Sequence, residues 1–166
     1  VGADGKVSHY IGTHNDITER KKAEERINAL AFFDQLTGLP NRTLLLDRLK
    51  QMLLSSSRND SHGALLFIDL DNFKTLNDTL GHDVGDQLLK EVALRLTHCV
   101  RDGDTVARLG GDEFVAALYG VGPGDQVLSQ VASDMIRNLR EPIVLDDGQV
   151  AHVGASVGIA CYPNHG

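Results

Sequence analysis

An α/β (α+β) fold with a central, mostly antiparallel sheet flanked by helices is what this sequence predicts. Three observations carry that expectation. Residues 64–70 form an apolar run of strand length, and residues 84–100 repeat apolar side chains at helical spacing. Segments 105–109 and 113–119 read as two strands joined by the hairpin signal Gly110-Gly111-Asp112.

The 166 residues are about one domain's length, with 42% hydrophobic and 23% charged residues, an ordinary balance for a globular protein. No apolar run approaches the ~20 residues a membrane-spanning helix needs, so no direct membrane contact is expected within this stretch. A formal net charge of -7 argues against a nucleic-acid surface, yet carboxylates reach nucleotide phosphates through divalent metals. Two cysteines, Cys99 and Cys161, form no CxxC pair and read as free thiols of a reducing cytoplasm. Any membrane anchor of the full-length protein would lie upstream. The seven histidines show no paired spacing that suits zinc.

From the N-terminus, an Asp4-Gly5 turn precedes a strand over 7–12. Asp16 then reads as the cap of a charged helix from Ile17 to roughly Asp34, with Glu19 at capping-box spacing. Ala23, Ile27 and Leu30 make a short coiled-coil-like seam along it. The turn 37–40 ends that helix and Asn41 caps the next, whose Leu44, Leu45, Leu49, Met52 and Leu53 share a face. Residues 55–63 read as a polar linker, and 64–70 as a strand buried on both sides. A short helix over 71–80 and a glycine-bounded loop over 81–85 lead to the helix ending at Val100. After the hairpin come a helix over 127–140 and strands over 142–145 and 149–162, around the turn Asp146-Asp147-Gly148.

Two clusters carry chemistry. In Phe67-Ile68-Asp69-Leu70-Asp71-Asn72-Phe73-Lys74, two carboxylates emerge where a strand stops and a helix begins. Residues two apart on a strand point the same way, so Asp69 and Asp71 are expected to converge. Hard oxygen ligands there suit Mg²⁺, and free amides at the helix start suit phosphate. The plainer reading makes Asp71 a helix cap and Asp69 a solvated acid. In Arg108-Leu109-Gly110-Gly111-Asp112-Glu113-Phe114, two glycines let a bulky ligand approach the main chain, and an acid pair sits at the tip. An ordinary tight turn is the plainer reading there. Two such clusters together suit a divalent-metal site, which needs carboxylates from separate segments.

Gly110-Gly111-Asp112-Glu113-Phe114 is the signature of the GGDEF family, and the sequence resembles that family at four further places. These are 34–42, 67–74, 77–86 and 155–160, in the family's order, so the resemblance runs from about Asp34 to Gly166. It implies a nucleotidyl-cyclase-like fold over 35–166 lacking its last helix and strand, with 16–34 as a signalling or linker helix. Residues 1–15 resemble the end of a PAS sensor domain.

The implied activity is diguanylate cyclase: two GTP molecules condense into cyclic di-GMP with release of pyrophosphate. By resemblance, Asp69, the Leu70 carbonyl and Asp112 bind Mg²⁺ (or Mn²⁺), with Asp112 also placed to accept the hydroxyl proton. Glu113 is assigned a supporting catalytic role. Asn77 and Asp86 match the pair that recognises guanine, a role their donors and acceptors suit. Amides near Asn72, Phe73 and Lys74 match the phosphate turn. Arg101 and Asp104, with five residues between Asp104 and Gly110, match the family's inhibitory product site. One GTP per domain implies a homodimer. Segment 39–49 also resembles proteins in which an EAL phosphodiesterase follows. There the domain is an idle GTP-sensing or cyclic di-GMP-binding regulator, the main alternative.

Overall fold

The computed structural model describes residues 16–59 and 62–162. The PAS-like strand and its turn lie outside the described residues. A four-stranded antiparallel sheet, ordered β2-β3-β1-β6, forms the centre. Its strands are β1 (Gly63–Asp71), β2 (Thr105–Gly110), β3 (Glu113–Tyr119) and β6 (Gly154–Tyr162). The helices are α1 (Thr18–Phe32), α2 (Arg42–Asn59), α3 (Phe73–Leu80), α4 (His82–His98) and α5 (Gln126–Arg140). The mixed fold with a mostly antiparallel sheet is therefore as expected.

The two faces of the sheet are covered unequally. Leu66, Ile68 and Leu70 of β1 and Phe114, Ala116 and Leu118 of β3 point into the main core. Leu88, Val92 and Leu96 of α4 and Met135 and Leu139 of α5 close that core from the other side. On the opposite face Leu45 and Leu49 of α2 cover Ala107, Val115 and Ala117, over the β2–β3 side. The β1 half of that face is left open, with Phe67 48% exposed. Beyond Leu66, β1 consequently alternates buried and exposed residues, where the sequence suggested burial on both sides. Asp69 and Asp71 fall on the exposed alternation.

Other boundaries differ for local reasons. The polar stretch 55–59 continues α2, because an established helix gains one hydrogen bond per added residue even without an apolar face. The loop expected over 81–85 shrinks to Gly81, at φ 91°, since α4 begins at His82. Helix α1 starts at Thr18, one residue later than expected: Asp16 accepts from the Thr18 amide at 2.9 Å, but Ile17 occupies the capping position. It stops at Phe32, where Phe33 turns extended and bridges Pro40. The Asn41 cap forms as expected, its Oδ1 accepting from the amides of Thr43 at 2.9 Å and Leu44 at 3.2 Å. Leu53 lies off the buried face at 52% exposure. Strands β4 (Ile143–Val144) and β5 (Val150–Ala151) pair only with each other, so 149–162 is broken in two before β6 joins the central sheet.

Candidate active site

The open half of the sheet carries the first acids. Asp69 lies in register between Glu113 of β3 and Ser156 of β6, so the three side chains form one row across the sheet. A cavity of about 690 Å³ sits over this row, lined by Phe67, Asp69, Leu109, Glu113, Ser156 and Gly158. Asp71 shares the face, and Ser156 Oγ, from the row of Asp69, donates to its Oδ1 at 2.8 Å. A Cβ on Gly154, the residue opposite, would come within 2.7 Å of Asp71 Oδ2, so the glycine leaves room for that carboxylate. Asp69 and Asp71 thus share one exposed face of β1, and Glu113 stands beside Asp69 in register on β3.

Asp71 does not cap α3. The capping position belongs to Asn72 at φ 59°, a left-handed conformation that asparagine tolerates, and no side chain caps the helix. This residue turns the chain abruptly from β1 into α3. The first amides of any helix lack intrahelical acceptors, so those of Phe73 and Lys74 are free to meet an anion at the positive end of α3.

The hairpin tip is built on Gly110 at φ 145° and Gly111 at φ 54°, both on the positive side that side chains rarely adopt. Arg108 braces it from inside. Its Nε and Nη2 donate to Gly111 O at 3.0 and 2.8 Å, and its Nη1 donates to Asp34 Oδ1 at 3.0 Å. Asp34 also accepts from the Thr37 amide at 2.9 Å and the Thr37 hydroxyl at 2.6 Å. Burial pushes the Asp34 carboxyl up, but Thr37 and Arg108 together outweigh it and hold the group below its ordinary 3.8. At the tip Asp112 is half-buried and Glu113 exposed. Arg108 and Asp34 stand within motifs of the sequence, but no periodicity links residues so far apart, so their pairing was not legible there.

Among the described residues, no three imidazoles, thiolates or carboxylates cluster as a ready cation cage. The expected ligand set is smaller: Asp69, Asp112 and the Leu70 main chain. Its donors are hard oxygens, and magnesium keeps several waters and takes only one or two carboxylates, so the donor chemistry fits.

Asn77 stands in the second half of α3 and Asp86 in the first turns of α4. Asn77 Oδ1 is buried and finds no hydrogen-bond donor among the described residues. A Cβ on Gly85 would overlap that oxygen, so glycine there is what admits the Asn77 side chain between the helices. An orphaned buried acceptor costs about 1–3 kcal/mol, and a ligand offering N–H groups relieves it. The next residue is Asp86, exposed.

Arg101 and Asp104 do not form the surface ion pair that a plain reading suggests. Asp104 Oδ2 accepts from the Arg101 amide at 3.1 Å and Oδ1 from the Tyr119 amide at 3.1 Å, leaving the exposed Arg101 guanidinium facing solvent.

The family described as "Diguanylate cyclase, GGDEF domain" matches residues 31–166. The bifunctional diguanylate cyclase/cyclic di-GMP phosphodiesterase MucR of Pseudomonas aeruginosa is 44% identical over 90% of this chain and 21% of its own length. The diguanylate cyclase TpbB of Pseudomonas aeruginosa is 42% identical over 81% of this chain and 31% of its own. The solved structure of the TpbB GGDEF domain superposes with a TM-score of 0.75 at 41% identity, covering 80% of this chain and 76% of that one. The chain belongs to the GGDEF domain family. It spans between about a fifth and a third of the length of these curated relatives.

Proposed function

We propose that this domain is a diguanylate cyclase that joins two GTP molecules into cyclic di-GMP. The observation that carries the reading is the row Asp69–Glu113 on an open sheet face, one turn before the uncapped start of α3. Acids and the uncapped amides that open α3 lie close along the chain there, which suits nucleotidyl transfer from a triphosphate to a hydroxyl. The buried Asn77 carbonyl supports guanine as the base, because N1–H and the exocyclic amine are donors on one edge. Asp86 is assigned the same edge.

In this reading the amides near Asn72, Phe73 and Lys74 hold the triphosphate, and Asp69, Asp112 and the Leu70 carbonyl hold Mg²⁺ or Mn²⁺. The metal, when bound, supplies charge neutralisation at the phosphate oxygens. The 3′-hydroxyl oxygen of one GTP attacks the α-phosphorus of the other. A new P–O bond forms, the bond to pyrophosphate breaks, and Asp112 takes the hydroxyl proton. Glu113, beside Asp69 in the sheet, supports the acid row. Repetition in the opposite sense closes the ring and releases a second pyrophosphate.

One domain holds one GTP here, so two copies face each other. Helix α1 suits that role: it buries no residue, and Ile27 and Leu30 of its seam are 64% and 59% exposed. Arg101 and Asp104 are assigned to a product site that restrains the enzyme. A second reading, an idle GTP sensor or cyclic di-GMP-binding regulator coupled to a phosphodiesterase, draws on MucR, whose name joins the two activities. Equilibrium binding of GTP measured beside turnover separates the two: a sensor binds without forming cyclic di-GMP.

A further inference from the structure

A groove of about 320 Å³ runs between the connection from α1 to α2, the end of α4 and the start of β2. Arg101 and Asp104 line it, and so do Phe33, Thr97 and Arg48. Arg48 comes from the middle of α2, a segment to which no ligand role has been given. Its Nη1 donates to Thr105 Oγ1 at 2.9 Å. Thr105 is itself buried to 2% exposure, so the anchor is rigid. A guanidinium carries five N–H donors, and this is the one hydrogen bond recorded for Arg48 among the described residues. The rest of its fork remains available to a ligand.

The division of labour in the groove follows from these bonds. Both Asp104 oxygens accept from backbone amides, which sets the loop while each keeps a further lone pair for a ligand's donors. The cationic recognition falls to the two arginines. Arg101 is exposed and pays side-chain entropy when it engages an anion, whereas Arg48 is half-buried and already tethered. Phe33, 39% exposed at the rim, adds an aromatic face beside them. Guanidinium forks matched to phosphate oxygens, with an aromatic ring alongside, suit a nucleotide phosphodiester better than an inorganic ion.

We propose that Arg48 is a third ligand-contacting residue of the Arg101–Asp104 site, taking a phosphodiester oxygen of the cyclic dinucleotide while Thr105 holds its guanidinium in place. The proposal rests on the reading of Arg101 and Asp104 as a product site. Titration calorimetry with cyclic di-GMP tests it, on the full-length protein at low and high salt, for wild type, Arg48→Ala, Arg48→Lys and Arg101→Ala. Loss of a charge-assisted contact predicts that Arg48→Ala binds about tenfold more weakly or worse, by less at high salt. Arg48→Lys keeps the charge and loses the fork, so it falls between. That variant also keeps the test valid should Arg48→Ala fail to fold. Wild-type affinity in both Arg48 variants, with binding lost in Arg101→Ala, overturns the proposal and leaves the product site standing. If the wild type does not bind, or Arg101→Ala binds as well as wild type, the product-site reading fails and takes the proposal with it.

Discussion

Arg108 and Asp34, 74 residues apart, are joined by a 3.0 Å ion pair in which the arginine is only 10% and the aspartate 22% exposed. Arg108 also holds Gly111 O through two further donors and, through its own amide, Pro40 O at 3.0 Å. One side chain therefore fixes the signature hairpin to the first turn of the domain. Removing it leaves Asp34 shielded from water and short of its cation. Arg108→Ala is predicted to lose about 2–4 kcal/mol of unfolding free energy, and Arg108→Lys less, because it keeps the charge without the fork. Urea denaturation measures both, and a double-mutant cycle with Asp34→Asn isolates the pair.

The same pair makes stability depend on acid. The folded Asp34 carboxyl lies below its ordinary 3.8, so the unfolded chain takes up that proton first as pH falls. Its contribution is complete above the unfolded value and disappears as pH drops through the folded one. The stability difference between wild type and Asp34→Asn should be constant near neutrality and shrink below about pH 4. A difference that instead grows on acidification contradicts the assigned sign.

Gly85 offers a test of the guanine-binding role proposed for Asn77. Alanine raises helix propensity by about 1 kcal/mol, yet its Cβ would displace Asn77 Oδ1. Gly85→Ala is predicted to keep a melting temperature near that of wild type while GTP binding weakens by about tenfold or more, in line with loss of a buried base contact. Calorimetric GTP titration beside thermal unfolding reads the two effects separately.

The α1 seam predicts assembly. Ile27→Lys with Leu30→Lys places like charges on a helix that buries nothing in its own domain, so the fold should persist while self-association weakens. Sedimentation of the full-length protein should shift toward monomer, and cyclic di-GMP yield per GTP-binding site should fall in step. Unchanged association removes α1 from the dimer interface.

Much of this was legible in the sequence where local physics decides. The amphipathic spacing of Leu88, Val92 and Leu96 gave α4, and Gly110-Gly111 gave the hairpin. What escaped depends on partners distant along the chain. That β1 is covered on one half only follows from where α2 settles, so Phe67 looked buried in a continuous apolar run. That Ser156, 85 residues on, donates to Asp71 was equally beyond local reading. Gly85 read as a loop signal because the sequence does not reveal that Asn77 occupies the space of its absent side chain. The β4–β5 pair was read as two strands of the fold, and nothing local in Ile143–Val144 says that they pair apart from the main sheet.

Turnover tests the central claim most directly. The full-length protein carrying this domain is incubated with α-labelled GTP and Mg²⁺ beside an Asp112→Ala variant, and the nucleotides are separated by chromatography. A cyclase with Asp112 at its centre yields labelled cyclic di-GMP from the wild type and none above background from the variant. GTP bound by the wild type but not converted, or equal conversion by both proteins, contradicts the account: the first makes the domain a nucleotide sensor, the second moves the chemistry away from Asp112.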